Sequence, residues 1–89
     1  VKRANPLTIE TPDNDAGTIL LLRMPGTHLT HRLTGAAVLM WRTWKREDFE
    51  GGVSAALRQF PSADPIKVRD DATRIYTELE AAGMIVERP

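Results

Sequence analysis

His28 and His31 are the two side chains best suited to acid–base or metal chemistry, and their spacing works against both. Three residues apart on a strand, they point to opposite faces and cannot easily share one ion. Cysteine is absent, which removes the thiolate nucleophile, the disulfide and the thiolate metal site together. No local pattern suggests a Ser-His-Asp constellation, and Gly51-Gly52 and the lone Gly26 are far from a phosphate-binding loop. The expectation is therefore a protein that is not an enzyme, takes no cofactor and binds no metal. Such a chain is expected to hold another molecule and leave it chemically unchanged.

The bulk composition narrows what that molecule is. At 89 residues the chain reads as a single domain over 1–89, near the lower end of what folds unaided. A hydrophobic content of 42% suffices for one core. Twelve basic and twelve acidic residues cancel, which disfavours a partner held by charge alone, such as nucleic acid or an anionic membrane. There is no apolar run of roughly 18 residues to span a bilayer. Val1-Lys2-Arg3 is not followed by an apolar stretch, so no signal peptide is read. A cytoplasmic location is expected, and the lack of cysteine suits a reducing compartment.

The elements that must position a binding surface follow from periodicity. Leu7-Thr8-Ile9-Glu10 alternates as a half-buried strand does, and 11–17 is dense in turn formers. Thr18 to Arg23 is an apolar run of strand length. Met24-Pro25-Gly26 forms a turn, and Thr27 to His31 returns antiparallel as a short edge strand. From Leu33 the period becomes helical. Thr34 is read as the cap of a helix to about Trp44 that is apolar almost all round, hence central. A second helix runs from about Asp48 to Phe60, with Gly51-Gly52 as an unfavourable pair inside it. Asp64 caps a third with Pro65 in its first turn, carrying Val68, Ala72, Ile75, Leu79 and Ala82 on one face. Gly83 closes it, and Met84-Ile85-Val86 packs back on the core. The expected fold class is α+β, winged helix-turn-helix-like: a three-stranded antiparallel sheet followed by three helices.

In that order the pieces resemble a known family. Gly17-Thr18-Ile19-Leu20-Leu21-Leu22 precedes a Pro-Gly turn. Leu29 leads into Leu33-Thr34-Gly35-Ala36-Ala37 and Trp41. Val53-x-x-Ala56-Leu57-x-x-Phe60 follows, and the run from Asp71-Ala72 through Leu79 to Gly83-Met84-Ile85 ends the pattern. Over Gly17 to Val86 this resembles the PqqD-like proteins, the recognition elements for precursors of ribosomally made, post-translationally modified peptides (RiPPs). It looks most like the discrete leader-binding proteins of lasso-peptide biosynthesis. Where that family usually has a Leu-Asn pair before the first helix, this chain has Thr30-His31-Arg32-Leu33. The resemblance implies a non-catalytic module that grips a precursor's leader peptide and presents the core peptide to a processing enzyme, in the lasso case a separate leader peptidase. It also implies strand addition, with the leader lying between the third strand and the third helix.

The residues are compatible with that mode. An edge strand over Thr27, His28, Leu29, Thr30 and His31 offers unpaired N–H and C=O groups to an extended peptide. Arg69, Thr73, Tyr76 and Glu80 form one stripe of the third helix, beside Ala72, Ile75 and Leu79. Small residues at 72 and 73 leave a dent beside Tyr76, and Arg69 and Glu80 at its rim could select charge. Against this stands a plainer reading: Leu29, Ile75 and Leu79 are core, Arg69 and Glu80 a solvated face. At least one of Trp41 and Trp44 is expected in the core.

Two rival functions remain. A DNA-binding winged-helix regulator fits the element order, but residues 46–82 hold five basic and eight acidic side chains, a poor match to phosphates. An oligomerising adaptor is the other, since an exposed edge strand can pair with its own copy to make a homodimer.

Overall fold

Four consecutive apolar residues, Ile19 to Leu22, cannot all face one side of a strand, so they suit a strand in the middle of a sheet. In the computed structural model, which describes residues 1–88, that is their place. β1 (Lys2–Ala4), β2 (Ile9–Pro12), β3 (Ile19–Arg23) and β4 (Thr30–Thr34) are followed by α1 (Ala36–Trp44), α2 (Phe49–Gln59), α3 (Pro65–Ala81) and β5 (Ile85–Glu87). The fold class is α+β, with small antiparallel sheets and three helices. One sheet has the order β2-β3-β4; β1 and β5 pair separately. Leu20 and Leu22 of β3 turn to the helices and are buried, while Ile19 and Leu21 are half-buried on the opposite face.

The core is built on α1. Val38, Met40, Trp41 and Trp44 are buried, and both tryptophans are no more than 1% exposed. Thr43, also buried, satisfies its hydroxyl by donating to the Leu39 carbonyl at 2.9 Å. Trp44 donates its indole N–H to the Phe49 carbonyl at 3.3 Å, tying α1 to the first residue of α2. Asp48 caps α2 by accepting from Gly51 N–H, and Asp64 caps α3 by accepting from Ile66 N–H with Pro65 in the first turn. Both caps satisfy an otherwise orphaned donor.

Several boundaries differ from the sequence reading. The first expected strand is displaced from Leu7–Glu10 to Ile9–Pro12, and the third from Thr27–His31 to Thr30–Thr34. The shift has a packing cause. With Leu20 opposite Leu33, the one large apolar side chain of β4 meets the core at 6% exposure, whereas Leu29 stays in the turn at 63%. Leu29 is therefore not core, and Leu33 lies within a strand instead of beginning a helix. Thr34 does not cap α1. That position belongs to Gly35 at φ 56°, with no side-chain cap, a backbone angle that favours glycine and lets strand pass into helix across one residue.

The β1–β5 pair has no counterpart in the sequence reading. Ala4 lies opposite Ile85, each 2% exposed, so a three-residue ribbon covers one end of the core.

The glycine pair inside α2 has a steric explanation. A Cβ on Gly52 would fall 2.8 Å from Trp44 Cε2, closer than carbon atoms tolerate. The helix penalty of glycine is accepted because the indole occupies the space a side chain would need. Gly52→Ala should destabilise the fold by about 1–3 kcal/mol through overpacking, although alanine is the better helix former. A urea melt that shows the variant at or above parental stability would contradict this.

Candidate functional site

β3 lies between β2 and β4, so among the described residues one edge of β4 has no strand partner. Hydrogen-bonded pairs alternate along an antiparallel ladder, and Gly35 N–H donates to the Thr18 carbonyl at 3.2 Å. In the observed register the next bonded pairs are Leu20 with Leu33 and Leu22 with His31. The main-chain groups of Thr30, Arg32 and Thr34 then point away from the sheet. The other side of β3 gives the same phase, since Asp13 N–H donates to the Ile19 carbonyl at 3.0 Å, directing Ile19, Leu21 and Arg23 toward β2.

Beside this open edge lies a groove of about 520 Å³ between β4 and α3. It exists because α3 packs chiefly on α2 and β5, with no comparable packing on β4. Leu33, Ala36, Ala37 and Met40 provide apolar lining from the β4–α1 side, and Val68, Ile75 and Leu79 from α3. Thr30, His31, Arg32 and Thr34 line it along the strand, while Asp71, Arg74 and Glu78 do so along the helix. Arg74 stands 3.9 Å from both Asp71 and Glu78, so that wall alternates in charge. Exposed pairs at such distances contribute little stability and are available to a ligand.

The sequence-predicted residues divide between this groove and other surfaces. Thr30, His31, Ile75 and Leu79 line it. Ile75 is half-buried there instead of fully core, while Leu79 is core at 0% exposure, as is Ala72. Thr27, His28 and Leu29 precede β4 in the turn, where Thr27 Oγ1 accepts from Leu29 N–H. His28 is exposed and is not a strand residue.

The stripe Arg69, Thr73, Tyr76 and Glu80 does not form the expected wall. Arg69 donates to both Glu50 carboxylate oxygens of α2 at 2.7 and 2.8 Å. That bond holds Glu50 below the usual carboxylate range and raises the Arg69 guanidinium. Thr73 donates to the Arg69 carbonyl. Glu80 pairs with Lys2, raising the lysine's pKa through their hydrogen bond. Tyr76 meets Trp44 and Phe49 edge-on, with ring centroids 5.1 Å away in each case, and donates its hydroxyl to the Lys2 carbonyl at 3.2 Å. These contacts attach α3 to α2 and β1, on the side away from β4.

The groove residues that sequence reasoning missed are Arg32, Leu33, Thr34, Ala36, Ala37, Met40, Val68, Asp71, Arg74 and Glu78. On α3 the signal was available: 68, 71, 75 and 78 recur at helical spacing one step around from the chosen stripe. On the strand it was not, because the register depends on where Leu33 meets Leu20.

Among the described residues no three His, Asp or Glu side chains gather to hold a metal ion, and no helix is long and apolar enough to cross a membrane. No family model, curated protein or solved structure matches this chain.

Tyr76 provides a direct check on the placement of α3. Burial raises its phenol pKa, with the charge of Glu80 adding to the effect. A raised folded-state value favours the neutral form, so this contribution is fully present below the unfolded value of about 10. It is lost as pH rises through the folded value. The chain has one tyrosine, so absorbance at 295 nm should show ionisation above the usual range, returning to about 10 in denaturant. An ordinary value in the folded protein would place the ring in solvent.

Proposed function

We propose that this chain is a non-catalytic peptide-recognition module, which binds the leader region of a ribosomally synthesised precursor and delivers it to a processing enzyme such as a separate leader peptidase. The carrying observation is the open edge of β4 beside a groove with apolar lining. Main-chain groups of Thr30, Arg32 and Thr34 offer the hydrogen bonds of an added strand, and the groove offers recesses for its alternate side chains. The resemblance to PqqD-like proteins and their lasso-pathway members supports the same reading. So does the arrangement of three helices and a three-stranded sheet, which we take as winged helix-turn-helix-like. Binding is centred on Thr30–Thr34, Ile75 and the helix residues Val68, Asp71, Arg74 and Glu78. Arg69, Tyr76 and Glu80 hold the helix in position.

A cytoplasmic setting suits this role, since the precursor is made there. The DNA-binding alternative gains no support from α3, where Arg69 is already engaged by Glu50. A second copy could add to the same edge, and concentration-dependent size reversed by leader would reveal that competition.

Fluorescence anisotropy with a labelled leader, taken from a short precursor gene beside this one, tests the proposal. Saturable binding with a Kd of about 1 μM or tighter is expected. Ile75→Glu, which places a charge in the groove, should weaken it at least about tenfold. Arg69→Ala should leave it within about twofold. Equal binding by a folded Ile75→Glu protein would move the site elsewhere, and no binding by the folded parent would reject the function.

A further inference from the structure

The groove contains one polar group whose hydrogen bonding is incomplete. His31 is half-buried in the middle of β4, and its Nε2 is shielded from solvent without a hydrogen-bond partner. It lies directly opposite Leu22, and opposed residues share a face, so its imidazole is on the core-directed face of the sheet with Leu22 and Leu33. A buried nitrogen left unpaired is unfavourable, because it has given up its bond to water without gaining another. The torsion that turns an imidazole is soft, so a small rotation presents Nε2 to the groove that His31 lines.

Strand geometry fixes what would meet it. A segment added along β4 bonds to the main chain of Thr30, Arg32 and Thr34. When the segment runs antiparallel to β4, its residue opposite His31 occupies a non-hydrogen-bonded pair on that new ladder, the closer of the two kinds, with its side chain on the same face as the imidazole. Two residues along, the segment residue opposite Leu33 lies on the same face, over Ala37 and Met40.

We infer that His31 is a specificity-determining residue that selects an uncharged hydrogen-bonding side chain (Ser, Thr, Asn or Gln) two residues from an apolar one in the bound segment. Asp71 and Glu78 on the helix wall oppose a carboxylate at that position, while Arg74 between them opposes a cation. An apolar side chain would leave Nε2 unpaired. This inference rests on the strand-addition reading above.

A display library of random twelve-residue peptides, selected on the immobilised full chain, separates the two. Enriched peptides should carry a polar uncharged residue two positions from an apolar one. Selection on His31→Ala should keep the apolar preference and lose the polar one, and His31→Asn should retain it. Replacing the enriched polar residue with alanine should weaken binding about tenfold on the parent chain and less than about twofold on His31→Ala. An unchanged polar preference on folded His31→Ala, or a preference for carboxylate or apolar residues opposite His31, overturns the inference and leaves peptide binding standing. The parental selection alone decides the pattern if the variants do not fold. Failure to enrich any peptide overturns both.

Discussion

The structure depends on Trp44. Its indole lies against the backbone of α2 at Gly52, donates to the Phe49 carbonyl at 3.3 Å and meets the Tyr76 ring at 5.1 Å. One side chain thus sets the approach of α2 to α1 and, through Tyr76, anchors α3 beside both. Aromatic pairs of this kind add about 0.5–1.5 kcal/mol each beyond their buried area, a substantial share of what a domain of this size has to spare. Geometry matters more than magnitude here. Three helices gathered around one indole at the end of α1 leave the opposite flank of α3 separated from the sheet.

That separation creates the groove. Had α3 closed on β4, the edge would be covered in the way proteins commonly protect an unpaired strand. Held on α2 and β5, the helix leaves the main chain of Thr30, Arg32 and Thr34 open. The two sides of α3 accordingly differ in kind. Toward α2 and β1 its polar residues are engaged by Glu50 and Lys2 at close range. Toward β4 the charges of Asp71, Arg74 and Glu78 lie at the limit of contact.

Most of the helical architecture was legible in the sequence because local chemistry determines it. Asp48, Asp64 and Pro65 mark helix starts by satisfying or removing orphan donors, and Gly83 follows the end of α3. The sheet was less legible for a reason of register. Thr27 to Thr34 holds two leucines, Leu29 and Leu33, either of which could face the core, and strand propensity does not distinguish them. Pairing with Leu20 does, and that is a contact across the fold. The β1–β5 ribbon was invisible for a similar reason, since three residues such as Lys2-Arg3-Ala4 carry no strand signal until Ile85 lies opposite Ala4. On α3 the sequence reading took the stripe of Arg69, Thr73, Tyr76 and Glu80, whereas Val68, Asp71, Arg74, Ile75 and Glu78 line the groove. Tyr76 resembles a binding residue by type, and only the neighbouring Trp44 and Phe49 assign it to packing.

The antiparallel ribbon also brings distant parts of the chain together: Arg88 N–H donates to the Val1 carbonyl at 2.8 Å, and the Val1 ammonium meets Glu87 at 2.6 Å. Neither strand of this ribbon lines the β4–α3 groove. Ala4 and Ile85, the buried pair of this ribbon, are absent from the groove lining, so the seam that joins residues 2–4 to 85–87 and the surface offered to a ligand are built from separate side chains.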